Sequence, residues 1–247
     1  MKSLFAHMCY SLTMNARQPG IWLRVLVVVP LMEVLPLLFL GRAYLESDTQ
    51  NFFLYTNMVW AFFTAVVIQC LVSIQGLAGG GRLDTFLHSE GSVIPWLSGY
   101  TGGVCCFYLF SSLVSVFALG FALGFPVVVW QMLGYALLAV PTSLGCVYLV
   151  YGFEVRFNRT FHFINILLDA LVIFSCVLWP LNTFAGITRI AAQMSPLTHL
   201  NEFIRTSNPS HVLPGILVSF IFLLFGVAWV KRSTKKYQVD GAFGGSL

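Results

Sequence analysis

Six long apolar runs divide the chain, at roughly 21–41, 53–77, 98–123, 126–151, 162–184 and 212–230. No other feature limits the fold as strongly. A helix rises about 1.5 Å per residue and the hydrocarbon core of a bilayer is about 30 Å thick, so about 20 consecutive apolar residues make one crossing. Charged residues are only 9% of the chain, against about 25% in a soluble domain. The expectation is an all-α polytopic membrane protein with six transmembrane helices, forming one domain over residues 1–247. The third and fourth runs are separated only by FALGFPVV at 121–128. Pro126 suits the first turn of a new helix, so a helical hairpin is expected there.

Lys and Arg set the orientation, because cytoplasmic loops carry the excess of positive charge. With the N-terminus in the cytoplasm, that side holds Lys2, Arg17, Arg82, Arg156, Arg159, Lys231, Arg232, Lys235 and Lys236. The outer side then holds Arg42, Arg189 and Arg205, with Arg24 at the inner boundary. An even number of spans returns the tail at 231–247 to the cytoplasm, where KRSTKK reads as a stop-transfer and headgroup anchor. The first apolar run begins only near Ile21 and lacks a small-x-small exit site, so no cleavable signal is expected. The net charge of +4 is small and does not point to nucleic acid.

Three segments are not spans. Residues 1–20 place Leu4, Met8 and Leu12 four apart beside Lys2, Ser11, Asn15 and Arg17, a pattern for an amphipathic helix in the membrane interface. Pro19-Gly20 ends it. Residues 78–97 contain GGGRLDTFLHSEGSVIPWL, a polar interruption expected in the cytoplasm. Residues 185–210 carry two short apolar repeats, Ile187/Ile190/Ala191/Met194 and Leu197/Leu200/Phe203/Ile204, broken at Ser195-Pro196. They predict two short helices that dip into the outer leaflet with their backbone covered by protein.

Catalytic spacing is missing. Gly79-Gly80-Gly81-Arg82 lacks the Lys-Ser/Thr ending of a phosphate loop, and neither H-E-x-x-H nor G-x-S-x-G occurs. His7, His88, His162, His199 and His211 are scattered, with no carboxylate at metal-ligand spacing. Cys9, Cys70, Cys105, Cys106, Cys146 and Cys176 form no C-x-x-C pair and read as small buried hydrophobes. Asn158-Arg159-Thr160 matches a glycosylation sequon but falls on the cytoplasmic side. No catalytic residue, metal site or bound cofactor is expected of this chain.

Acids inside spans are costly and therefore informative. Glu33 lies mid-span between Pro30 and Pro36, and Asp169 lies in span five. Two readings stand for each: a polar patch on a translocation or proton path, or an interhelical hydrogen bond. Trp60 and Gln69 in span two join them as candidates for the path.

Two motifs then carry a resemblance. Gly81, Leu83, Asp84, Phe86, Leu87, Ser89, Ser92 and Gly99 fit the pattern G-x-L-[DE]-x-[LF]-L-x-[ST]-x-x-S, followed seven residues later by Gly. The second is Pro180-Leu181, then Ser195-Pro196-Leu197-Thr198-His199-Leu200-Asn201-Glu202-Phe203-Ile204-Arg205. With the order of segments, they make the chain resemble, over essentially its whole length, the membrane subunits of type-2 ABC exporters, the permease class also called type V. Arg82, Glu90, Ser195 and His199 depart from that family's commoner Thr, Pro, Asn and Tyr.

The resemblance implies a translocation path for an amphipathic cargo: a drug, a peptide, a lipid or a lipid-linked glycan. It implies two copies of a separate ABC ATPase, which bind ATP and Mg, and a second permease copy, identical or paralogous. It implies a prokaryotic cell (inner) membrane as the location. Arg82, Leu83, Asp84, Phe86, Leu87, His88 and Glu90 would form a coupling helix against the ATPase. Pro196, Leu197, Thr198, Glu202 and Arg205 would mark the re-entrant outer hairpin. The rival expectations are a stand-alone membrane acyl or prenyl transferase using Asp84, His88 and Glu90, and a channel or proton-coupled carrier using Glu33 and Asp169.

Overall fold

In the computed structural model, the structure describes residues 2–23, 47–79, 93–123, 129–157, 161–177 and 179–240. Every regular element among them is helical. In chain order these are α1 (Lys2–Ala16), α2 (Pro19–Leu23), α3 (Ser47–Gly79), α4 (Val93–Leu123) and α5 (Val129–Phe157). They are followed by α6 (Phe161–Phe174), α7 (Gly186–Met194), α8 (Pro196–Thr206) and α9 (Val212–Asp240), with short 3-10 turns at Leu181–Thr183 and Pro209–His211. Among the described residues, four helices are long and apolar enough to cross a membrane, at Tyr55–Leu77, Val93–Val114, Trp130–Phe157 and Pro209–Tyr237.

The second, third, fourth and sixth apolar runs thus each become one long helix. The fifth does not fill its run. The stretch at 162–184 is helical only to Phe174, giving 14 residues in α6, about 21 Å at the usual rise. The polar interruption is also shorter than 78–97, because α3 runs to Gly79 and α4 begins at Val93, with Trp96 and Leu97 already buried. The basic run at 231–236 continues α9 without a break to Asp240. Most of the first run, residues 124–128 of the FALGFPVV corner and the sequon lie outside the described residues.

Side-chain pairs fix how the helices run. Tyr55 meets Tyr135 and Gln75 meets Glu154, so α3 and α5 point the same way. Thr142 meets Ser219 and Gly152 meets Trp229, so α9 is parallel to them. Ser98 meets Tyr148 and Thr101 meets Cys70, so α4 is antiparallel to all three. One end of the bundle therefore gathers the finish of α3, α5 and α9 with the start of α4. Arg156, Lys231, Arg232, Lys235 and Lys236 belong to that end, whereas Arg189 and Arg205 belong to the other.

Without a hydrophobic drive between helices in lipid, association rests on close packing of small residues. Gly145 and Gly226 bring α5 and α9 so close that a Cβ on Gly226 would stand 2.9 Å from the Gly145 carbonyl oxygen. The core beneath is aromatic and aliphatic, with Phe62, Phe63, Leu71, Ile74, Leu97 and Tyr151 nearly inaccessible. The opposite side of α9 is unpacked: Ile216, Leu217, Phe220, Ile221 and Leu224 are all exposed, and only 11% of the span is buried. Such a stripe would be a large liability in water and is the ordinary surface of a helix facing lipid.

α1 is helical as its periodicity predicts, and its packed side combines small polar residues with Met8 and Leu12, both half-buried. Ser11 and Asn15 are fully buried, while Leu4, Phe5, Tyr10 and Met14 are exposed. The helix lies lengthwise on α4, over Gly99 and Gly103, where added Cβ atoms would come within 2.5 Å of the Leu4 carbonyl oxygen and 2.6 Å of that of Met8. Trp22 of α2 continues the contact, packing edge-on against Phe107 at 4.9 Å. Asn15 accepts a hydrogen bond from Gln69 Nε2 at 3.1 Å, tying α1 to α3 as well.

Candidate functional site

The best-connected polar site among the described residues lies where α6 stops and α8 crosses it. A helix leaves its last carbonyls without intrahelical partners. At membrane depth such groups must find partners within the protein. α6 ends at Phe174, and Cys176 turns the chain with φ of 56°, the left-handed conformation common just past a helix end. Three successive carbonyls then meet three donors from one helix. Thr198 Oγ1 donates to Phe174 O at 2.8 Å, Asn201 Nδ2 to Ser175 O at 2.7 Å, and Arg205 Nη2 to Cys176 O at 3.3 Å. Thr198, Asn201 and Arg205 are three and four residues apart, so they share one face of α8.

The chain's return is fixed at the same place. Arg205 Nη1 pairs with Glu202 Oε1 at 2.7 Å, and the same oxygen accepts the Leu181 backbone N–H at 2.9 Å. The two side chains are 19% and 9% exposed, so the pair is shielded from water. The Ser175 and Ser195 hydroxyls join at 2.7 Å. Pro196 begins α8 where a missing N–H costs nothing, and Ser195 holds the break between α7 and α8 with extended backbone. Leu197, Leu200 and Ile204 fill the core side, and Phe203 meets Tyr135 edge-on at 5.9 Å. The motif residues Pro196, Leu197, Thr198, Glu202 and Arg205 are therefore gathered into one lock that seals the end of a short helix. Each neutral bond of this kind contributes about 1 kcal/mol net.

α7 is the looser half of the hairpin. Its apolar side chains Ile187, Ile190 and Met194 are 59–84% exposed and only Ala192 is buried. Gln193 O, near its end, accepts from His199 Nε2 at 3.0 Å. His199 has its pKa lowered, chiefly by burial and further by the neighbouring His211; the Gln193 bond and Glu202 oppose the shift. The folded state thus binds this proton less readily than the unfolded chain, whose His titrates near 6.5. The sign follows: stability from a neutral His199 is complete above about pH 6.5 and is lost as pH falls below it. The thermal midpoint is expected to drop between pH 7.5 and 5.5 in the parent chain, and to drop clearly less in His199→Phe. An equal drop in both would remove His199 as the cause.

The other sequence candidates separate. Glu33 and the residues expected to form a coupling helix, Arg82, Leu83, Asp84, Phe86, Leu87, His88 and Glu90, lie outside the described residues. Trp60 packs on the core beside Phe63, and Gln69 faces α1. Asp169 sits exposed on α6 in line with Ile166 and Ile173, without a hydrogen bond or ion pair among the described residues.

Asn201, Ser175 and Glu154 were missed as site residues. The spacing Thr198/Asn201/Arg205 was a visible signal, a polar face on an otherwise apolar segment. Glu154, only 3% exposed, lies three residues beyond the fourth apolar run at 126–151 and meets Gln75. All six cysteines are free, and no cluster of three or more His, Cys, Asp or Glu fit for a metal occurs among the described residues. Comparisons of the chain with family models, with curated proteins and with solved structures give no match.

Proposed function

We propose that this chain is the membrane subunit of an ATP-driven exporter for an amphipathic cargo, coupled to a separate ATPase. The observation that carries the reading is that α3 ends and α4 begins at one end of the bundle while α8 packs at the other. The segment carrying Leu83, Asp84, Phe86 and Leu87 leaves α3 and enters α4 at the basic end, the end that positive charge would hold in the cytoplasm. There Phe86 and Leu87 supply apolar contact and Arg82, Asp84 and Glu90 a polar rim for the ATPase. The hairpin α7–α8 closes the opposite, outer end. A rigid lock at the end of α6 lets a push on α3 and α4 move packed helices as bodies.

The exposed Asp169 supports a second copy. Ionisable residues in membrane helices almost always face a bundle interior or a water-filled cavity. A path shared between two permease copies, with α6 on its wall, gives Asp169 such a surrounding. The chain has no phosphate loop, so ATP and Mg belong to the partner.

The test is co-isolation from the native membrane in mild detergent. An ATPase subunit is expected in equal ratio with this chain, and is expected to be lost from Phe86→Ala/Leu87→Ala at unchanged expression. Isolation of the chain without any ATPase, or retention by the double variant, counts against the reading.

A further inference from the structure

His199 sits at the joint of the α7–α8 hairpin. Its Nε2 meets the Gln193 carbonyl at 3.0 Å across the Ser195-Pro196 break. A carbonyl only accepts, so Nε2 carries the hydrogen. Among the described residues this is the one hydrogen bond that a side chain of another element makes to α7. Little else holds that helix. Ile187, Ile190 and Met194 are exposed, and Ala192 is its one buried residue.

The surroundings of the ring suit only its neutral form. Nδ1 is buried and has no hydrogen-bond partner. Without a proton it is an uncharged acceptor. With one it becomes a donor on a charged ring that meets no acceptor, and burying such a group is costly. His211 stands beside it, with ring centroids 6.5 Å apart, and repels it when both rings are charged. Glu202, one turn on in α8, is the acid that acts on it, but its Oε1 is already held by Arg205 and the Leu181 N–H. Arg189, the charged residue of α7, is exposed. α5 and α9 bring only uncharged residues to the cavity beside His199, among them Leu138, Pro141, Gly215 and Ile216. α9 also packs close on the base of the side chain, since a Cβ on Gly215 would stand 3.1 Å from His199 Cβ. A protonated ring therefore finds a partner for Nδ1 only by turning out to water, and turning out breaks the Gln193 bond.

We propose that His199 is a pH-operated latch on the hairpin: neutral, it holds the end of α7 on α8; protonated, it turns out to water and frees α7 while the lock between α6 and α8 stays shut. The latch rests on these contacts alone and stands whether or not an ATPase couples to the chain. The buried ring binds its proton less readily than a His in water, which titrates near 6.5. The latch is thus closed above about pH 6.5 and opens as pH falls below it.

Ala192, fully buried on α7, reports the opening. Ala192→Cys is labelled with a membrane-impermeant maleimide in nanodiscs of phosphatidylcholine, in a background without the exposed Cys9 and Cys106. Its rate is divided by that of Met194→Cys, an exposed position on the same helix, which cancels the thiol's own titration. The ratio is expected to rise roughly ten-fold between pH 7.5 and pH 5.0. In His199→Gln, whose amide donates to Gln193 without titrating, the rise is expected to stay below about two-fold. Labelling of the buried Cys70 and Cys146 is expected to stay flat, because only the hairpin opens. Amide exchange of α7 in the unsubstituted chain, corrected for its intrinsic pH dependence, is expected to rise with the ratio and tests the proposal even if a variant fails to fold. Unchanged exchange in α7, an equal rise in His199→Gln, or an equal rise at Cys70 and Cys146 each overturns the proposal.

Discussion

Arg205→Ala is expected to lower the stability of the bundle by about 3 kcal/mol, the usual cost of removing one partner from a buried ion pair. For a chain of this size that corresponds to a thermal midpoint lower by roughly 6–12 °C. Three losses combine. The Glu202 carboxylate, 9% exposed, keeps only the Leu181 N–H among the described residues. The Cys176 carbonyl loses its donor just where α6 has ended. The return from α6 to α7 loses its anchor on α8. Glu202→Leu/Arg205→Met, which removes both charges together, is expected to recover part of the loss, because a missing pair costs less than a lone buried charge. Arg205→Ala with an unchanged midpoint would mean that water reaches the pair.

Gly99→Leu is expected to release α1 from α4. The added side chain begins 2.5 Å from the Leu4 carbonyl oxygen and 2.8 Å from His7 Cβ, so the helix backbone itself must move. Overpacking of this kind costs about 1–3 kcal/mol. The seam runs on through Gly103, Ser11 and the Asn15–Gln69 bond, so the loss propagates along α1. Thiol labelling of Ser11→Cys reads it, in a background without the exposed Cys9 and Cys106. Ser11 is fully buried in the parent. Labelling through local opening is expected to rise roughly ten-fold in Gly99→Leu. No rise would show that α1 keeps its place without the glycine seam.

Four of the span-forming runs, the second, third, fourth and sixth, were legible because length and apolarity suffice to define a crossing. The break at Ser195-Pro196 was legible because proline ends one helix and opens the next. Three things were hidden for physical reasons. The early end of α6 is set by α8, whose donors make an open helix end tolerable, and no local pattern in 162–184 announces it. The packed face of α1 was hidden because a period of four identifies a stripe without saying whether lipid or protein covers it. Beside the glycines of α4, Ser11 and Asn15 pack deepest, Met8 and Leu12 are half-buried, and Leu4 turns out. The role of the SPLTHLNEFIR stretch as a lock required the carbonyls of Phe174, Ser175 and Cys176 to be in view. Its polar spacing alone marked a face without naming the partner.

The residues proposed to couple lie in sequence between α3 and α4, and this order links the fold to the proposed ATPase partner. The rival with the clearest physical signature is a proton-coupled carrier using Glu33 and Asp169. The two accounts differ in what drives movement. Proteoliposomes containing the chain and its ATPase, loaded with a fluorescent amphiphile, separate them in one transport measurement. The permease account predicts movement that requires the ATPase and Mg-ATP and is missing from vesicles holding the chain alone under a proton gradient. Gradient-driven movement by the chain alone, at the rate seen with ATPase and ATP, would contradict it.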